Sequence, residues 1–308
     1  VRKVLTQVIK AILIIVIGYF LVVELRRQNF SPMAIWQYLV NADRYFYSSL
    51  AVFTTFLMMQ AWIWVQILNR PTYHLDSLKG MVIYINSQFV KYMPGGGVLN
   101  FLGRFYLTSK EGVPMQRQIM TVFHEGVLLV LAAAVYSVLL TYTLHWIPFI
   151  GVIGMIVFAL LMYLYYDQMS VILEKLVHRF VKKFRDHDLK LPRFDFFLVW
   201  FYFLVSHLVM GVSYYLLLRS FGIENISLLY ATGTFALAWL LGIASPLPGG
   251  IGIREAVLVF LLSRLGVDLA TATQISIITR IWNILGEVVF FALINGFSIV
   301  KERWVRTK

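Results

Sequence analysis

The sequence predicts an all-α polytopic membrane protein made of two inverted-topology repeats, each with three transmembrane helices and one re-entrant Pro-Gly-Gly helical hairpin. Three observations carry this expectation. Apolar residues make up 60% of the 308 and charged residues only 14%, whereas a soluble domain has about a quarter of its residues charged. Several apolar segments reach the roughly 20 residues that cross a bilayer at about 1.5 Å rise each. A Pro-Gly-Gly break occurs at Pro94-Gly95-Gly96 and again, 154 residues on, at Pro248-Gly249-Gly250.

Val4–Val23 is the first span. Arg2, Lys3 and Lys10 flank it as they would a signal peptide, but the run passes into Glu24, Arg26 and Arg27 with no small-x-small cleavage site. It is therefore expected to stay as a helix. Tyr47–Leu68 is the second span. Leu78–Met93 then meets Pro94-Gly95-Gly96-Gly97, and a short apolar piece, Val98–Ser109, follows. That piece reaches about 20 Å as a helix, short of the roughly 30 Å hydrocarbon core. A helix, a break and a short helix predict a re-entrant hairpin, whose freed backbone is tolerated only inside protein or against a watery cavity. Gln118–Leu144, Ile147–Tyr166, Phe196–Leu218 and Ala270–Val300 are further spans. Leu228–Ala244, the break Pro246-Leu247-Pro248-Gly249-Gly250 and the piece Ile251–Ser263, with Gly252 near its start, make the second hairpin.

The 154-residue shift that superposes the breaks also carries Gly112-Val113 onto Gly266-Val267 and Tyr106-Leu107 onto Phe260-Leu261. A tight turn between apolar runs would explain one Pro-Gly-Gly; it does not explain the shared Gly-Val. The expected organisation is one transmembrane domain, 1–308, with repeats 1–146 and 147–308. Each repeat has three spans, an odd number, so the second enters the membrane inverted. Inverted repeats with broken helices are the pattern of alternating-access transporters.

Net charge is +12. Seven of the bases lie between Lys175 and Arg193, inside a loop at 168–194, and four more between Lys301 and Lys308. Bases flanking apolar spans set topology and attract anionic lipids before they bind nucleic acid. They place the loop and both termini in the cytoplasm, with Arg26, Arg27 and Arg44 outside. The chain has no cysteine, which excludes disulfides and thiolate metal sites. Walker A, HExxH and GxSxG patterns are absent, and His124-Glu125 lacks the second histidine of a zinc helix. The expectation is a non-enzyme without cofactor or metal, driven by a gradient or passive.

Charge inside a span needs a reason. Arg104 follows the first break and Glu125 lies in the next long helix; Arg254 and Glu255 follow the second break. Arg280, Asn283 and Glu287 share a face of the last helix. One expectation is that Arg104, Arg254 and Arg280 receive an anionic group, with Glu125, Glu255 and Glu287 holding them, since the arginine fork matches phosphate. Structural Arg–Glu pairing would account for the same residues. His207 is expected to be a hydrogen-bonded core histidine, and Trp62 and Trp64 packing or lipid-facing side chains.

The two break regions, KYMPGGGVLNFLGR (Lys91–Arg104) and SPLPGGIGIREAVL (Ser245–Leu258), resemble the lysylphosphatidylglycerol synthase transmembrane, or flippase-like, family. Similarity covers nearly the whole chain, through Glu125, Gly266-Val267 and Arg280. The resemblance implies a lipid flippase or lipid carrier, in some relatives one for an aminoacylated phospholipid. It maps the family's break and Arg-Glu positions onto Pro94–Gly97, Arg104, Glu125, Pro248–Gly252, Arg254, Glu255 and Arg280. The soluble synthase domain of two-domain members is absent from this chain, so synthase activity is not expected. The cargo expected is an anionic or polyprenyl-linked lipid. The alternatives are a non-transporting subunit presenting lipid to a partner glycosyltransferase or synthase, and a small-solute or ion-coupled transporter.

Overall fold

Short polar residues start several of the helices, as the orphan N–H groups of a first turn require. In a computed structural model, which describes residues 37, 40–70, 73–89, 96–172, 190–245, 250 and 252–306, Asp43 accepts from the Phe46 amide at 3.0 Å and opens α1 (Arg44–Asn69). Asp76 does the same for Lys79, at 3.0 Å, in α2 (Ser77–Gln88). Helix α3 is Gly96–Ser109. Prolines, preset to a helix-entry φ and lacking the N–H, precede α4 (Met115–Thr143) at Pro114 and α5 (Phe149–Leu164) at Pro148. After the short α6 (Tyr166–Ile172), Pro192 likewise precedes α7 (Arg193–Arg219). Ser227 caps α8 (Leu228–Ala244), α9 is Ile253–Arg264, and α10 runs Leu269–Arg306.

Helices α1, α4, α7 and α10 are each long and apolar enough to cross a membrane, as expected of Tyr47–Leu68, Gln118–Leu144, Phe196–Leu218 and Ala270–Val300. The span expected at Ile147–Tyr166 is not one straight helix: α5 and α6 meet at a 75° bend and qualify only together. Tyr165 leaves helical geometry at the bend. Beyond it Tyr166 donates to the Leu191 carbonyl at 2.8 Å, and Asp167 pairs with Arg193 and Lys190, which draws α6 to the start of α7. The span expected at Val4–Val23, most of the basic loop, and Pro94, Gly95, Pro248 and Gly249 lie outside the described residues.

The centre of the bundle is the crossing of α1 and α7. Gln60 Nε2 donates to Ser206 Oγ at 3.1 Å, Ser213 Oγ to the Ser49 carbonyl at 2.8 Å, and Arg70 pairs with Asp195. Rising numbers on one helix meet falling numbers on the other, so the two run antiparallel. Much of the remaining packing comes in matched sets. Helix α2 lies on α10 as α8 lies on α4, α1 on α10 as α7 on α4, α1 on α2 as α7 on α8, and α3 on α2 as α9 on α8. Helix α5 packs on α4 and buries only Val152 and Met162.

Two glycines in register show the same local chemistry twice. Gly112 and Gly266 have φ of +77° and +80°, and their amides donate to Ser109 and Ser263 carbonyls at 3.1 and 3.0 Å. Both close a short helix in the left-handed conformation that glycine enters without a Cβ penalty. A different glycine, Gly211, permits contact between α7 and α8: a Cβ there would sit 1.7 Å from Thr232 Oγ1 and 2.9 Å from its Cα. Gly211→Ala is expected to lower stability by about 1–3 kcal/mol through overpacking, read as a fall in thermal unfolding midpoint in detergent. Gly126→Ala, with nothing within 4 Å of the added carbon, should leave it unchanged.

Candidate functional site

Apolar side chains of facing helices leave a cavity of about 190 Å³ beside the α1–α7 crossing. Its wall is built in pairs. Tyr84, Ile85 and Gln88 of α2 line it together with Phe235, Ala236 and Trp239 of α8, each 151 residues on. Leu57 and Gln60 of α1 are matched by His207 and Met210 of α7, each 150 residues on. Helix α10 adds Glu287. The polar lining is thus Gln60, Gln88, His207 and Glu287, with the Tyr84 and Trp239 rings.

The arginines after the breaks stand behind this wall, each against an aromatic ring that forms it. The Arg104 guanidinium lies 4.2 Å from the Tyr84 centroid, and that of Arg254 lies 5.7 Å from Phe235. A second ring from the central crossing backs each wall ring. Trp64 and Tyr84 have centroids 6.0 Å apart at 54°, and Tyr214 and Phe235 have centroids 5.5 Å apart at 56°. Trp64/Tyr84/Arg104 and Tyr214/Phe235/Arg254 are therefore two similar triads, 150 or 151 residues apart, with Arg254 about one helical turn off the 154-residue register of Gly112 and Gly266. A desolvated cation over an aromatic face gains about 2 kcal/mol, which helps keep a guanidinium in an apolar bundle.

Each post-break helix is also tied by charge to the long helix that follows it. Arg104 Nη1 donates to Glu125 Oε2 at 2.7 Å, with both residues buried. On the other side Glu255, on α9, pairs with Arg280 on α10 and accepts from the Gly252 amide at 2.7 Å. The two ties join equivalent helices with the charges exchanged. Gly252, at φ +84°, supplies that amide in a conformation foreign to residues with a Cβ. Gly250 packs against α8, where an added Cβ would lie 2.7 Å from Gly242 Cα.

Of the six charged residues singled out from sequence, Glu287 lines the cavity. Arg104 with Glu125, and Glu255 with Arg280, form the ties. Arg254 lies along Gly242 and over Phe235. Asn283, on the same face of α10 as Arg280 and Glu287, donates its amide to the Thr279 carbonyl of its own helix at 2.6 Å. Gly96 and Gly97 open α3. His207 is the hydrogen-bonded histidine expected, its Nδ1 donating to the Phe203 carbonyl at 2.9 Å, yet it also faces the cavity. Gln60 and Gln88 escaped notice, although a lone amide in an apolar run is a signal of its own. Among the described residues no group of three or more His, Asp or Glu is placed to hold a metal ion.

The family model for the lysylphosphatidylglycerol synthase TM region matches residues 7–289. No curated protein and no solved structure matches the chain.

Breaking a buried pair strands a charge and costs about 3–5 kcal/mol, while replacing both partners with apolar residues is close to neutral. Glu125→Gln should therefore lower the unfolding midpoint strongly, and the double variant Arg104→Met/Glu125→Leu should recover most of the loss. The half-exposed tie makes Glu255→Gln the milder single change in the same melting experiment.

Proposed function

This chain belongs to the lysylphosphatidylglycerol synthase TM-region family, and we propose that it moves lipid between leaflets, passing the headgroup of an anionic or polyprenyl-linked lipid through the central cavity. The observation that carries the reading is the wall itself, formed by equivalent positions of α1 with α7 and α2 with α8. Alternating-access carriers place their substrate where two inverted repeats meet. Two repeats, 1–146 and 147–308, are supported by the antiparallel α1–α7 crossing, the matched contact sets and the twin left-handed glycines. In this reading α2–α3 and α8–α9 are re-entrant hairpins that enter from opposite sides, and the termini are cytoplasmic.

The size of the cavity fits the role. At about 190 Å³ the cavity has room for several waters. A headgroup fits and acyl chains do not; these stay in the bilayer along the exposed apolar helix faces. Arg104 and Arg254 are the anion-attracting groups, each one ring away from the cavity. Rotation of Tyr84 or Phe235 would open the way to one of them at a time. The chemistry in this account is binding and passage, with no bond made or broken.

Proteoliposomes carrying a fluorescent phospholipid test the proposal. Wild type should equilibrate the label between leaflets faster than empty vesicles. Ala236→Phe, which fills the cavity, should abolish the acceleration while the protein still melts cooperatively. Unchanged transport in an Arg104→Ala/Arg254→Ala double variant would remove the arginines from the pathway.

A further inference from the structure

Two hydrogen-bond donors beside the cavity wall have no acceptor. Trp64 Nε1 and Arg104 Nε are both buried and unpartnered, in residues only 1% and 2% exposed. They are neighbours, since the Arg104 guanidinium lies 5.3 Å from the Trp64 ring. Burying one N–H without a partner is costly, and native structures rarely tolerate it. Here there are two in one place, and one belongs to a cation.

The free edge of Arg104 is informative. Its hydrogen bond to Glu125 is made by Nη1, which leaves the Nε side, the edge that arginine uses to fork onto an oxyanion. Glu125 balances the charge, so the guanidinium is held in place and electrically quiet until an acceptor arrives. Tyr84, whose ring lies against this guanidinium, lines the cavity. Trp64 lies one helical turn beyond Gln60, a residue of the cavity wall. The equivalent position in the other triad repeats the feature, because Tyr214 Oη is likewise buried without a partner.

We propose that Trp64 Nε1 and Arg104 Nε form a subsite for a phosphoryl oxygen, reached from the cavity when Tyr84 swings aside, with Tyr214 as the donor at the equivalent position of the second triad. The assignment rests on the lipid-passage reading for the source of that oxygen, a lipid headgroup. Inorganic phosphate offers the same chemistry, and a trapped water would also satisfy the donors.

The purified full chain in neutral detergent, titrated with phosphatidylglycerol, with diacylglycerol of the same chains and with inorganic phosphate, separates these cases through the thermal unfolding midpoint. Phosphatidylglycerol should raise the midpoint saturably and diacylglycerol should not. Trp64→Phe keeps the ring and removes the N–H, and should raise the half-saturating phosphatidylglycerol concentration roughly tenfold. Arg104→Lys keeps a cation for Glu125, loses the Nε edge and should act alike, so the question is answered even if Trp64→Phe does not fold. An unchanged titration in both variants, or no response to phosphatidylglycerol in wild type, overturns the subsite. A response to inorganic phosphate equal to that of phosphatidylglycerol overturns the lipid source. Transport in proteoliposomes with variant titrations unchanged would sink the subsite alone; altered titrations with no transport would sink the passage reading alone.

Discussion

The antiparallel crossing of α1 and α7 is the constraint on which the rest depends. In lipid, apolar surfaces gain little by meeting each other, so polar contacts and close packing must set the register of a helix pair. Here Gln60–Ser206, Ser213–Ser49 and Arg70–Asp195 fix it at the middle and both ends. Ser49 serves twice, because its hydroxyl also accepts from Trp282 Nε1 at 3.0 Å and ties α10 to the same place. Phe53 stacks on Trp282 with centroids 4.2 Å apart, and Gly286 leaves room for that ring. A slip of one turn at the crossing would shift Leu57 and Gln60 against His207 and Met210 in the cavity wall.

Around that axis the bundle meets the cost of intramembrane charge in two ways. It neutralises Arg104 with Glu125 and Glu255 with Arg280, and it lays Arg104 and Arg254 against aromatic faces. A buried pair adds little net stability but is expensive to break. The ties therefore act as locks between a short helix and the long helix after it. Their reversed polarity means that the two halves share geometry without sharing sequence at those positions.

In the proposed lipid-passage role, this arrangement would separate attraction from passage. The cavity surface carries amides, a histidine and one carboxylate, while the guanidinium groups wait behind Tyr84 and Phe235. A headgroup entering a cavity lined directly by arginine would bind tightly and leave slowly. Screening each cation with a ring keeps the resting cavity only mildly polar. Under the proposed role, a small side-chain movement would then change what a headgroup meets.

The sequence by itself determined the class of fold and the four long spans seen here, and it carries the two Pro-Gly interruptions and the 154-residue correspondence. These are properties of local composition: hydropathy over a helix length, proline and glycine where backbone must turn, and a glycine such as Gly112 or Gly266 needing positive φ. The Arg–Glu content of the break regions was legible too, but not who pairs with whom. Arg280 and Glu287 share a helix face seven residues apart, yet Arg280 reaches across to Glu255, a partner that only the packing of α9 on α10 provides. The bend at Tyr165 was hidden because contacts of Tyr166 and Asp167 with the start of α7, not hydropathy, impose it. The cavity was hidden for the same reason. Gln60, Gln88 and His207 lie on three helices, α7 far in the chain from α1 and α2, and the antiparallel register of α1 and α7 turns them to one space.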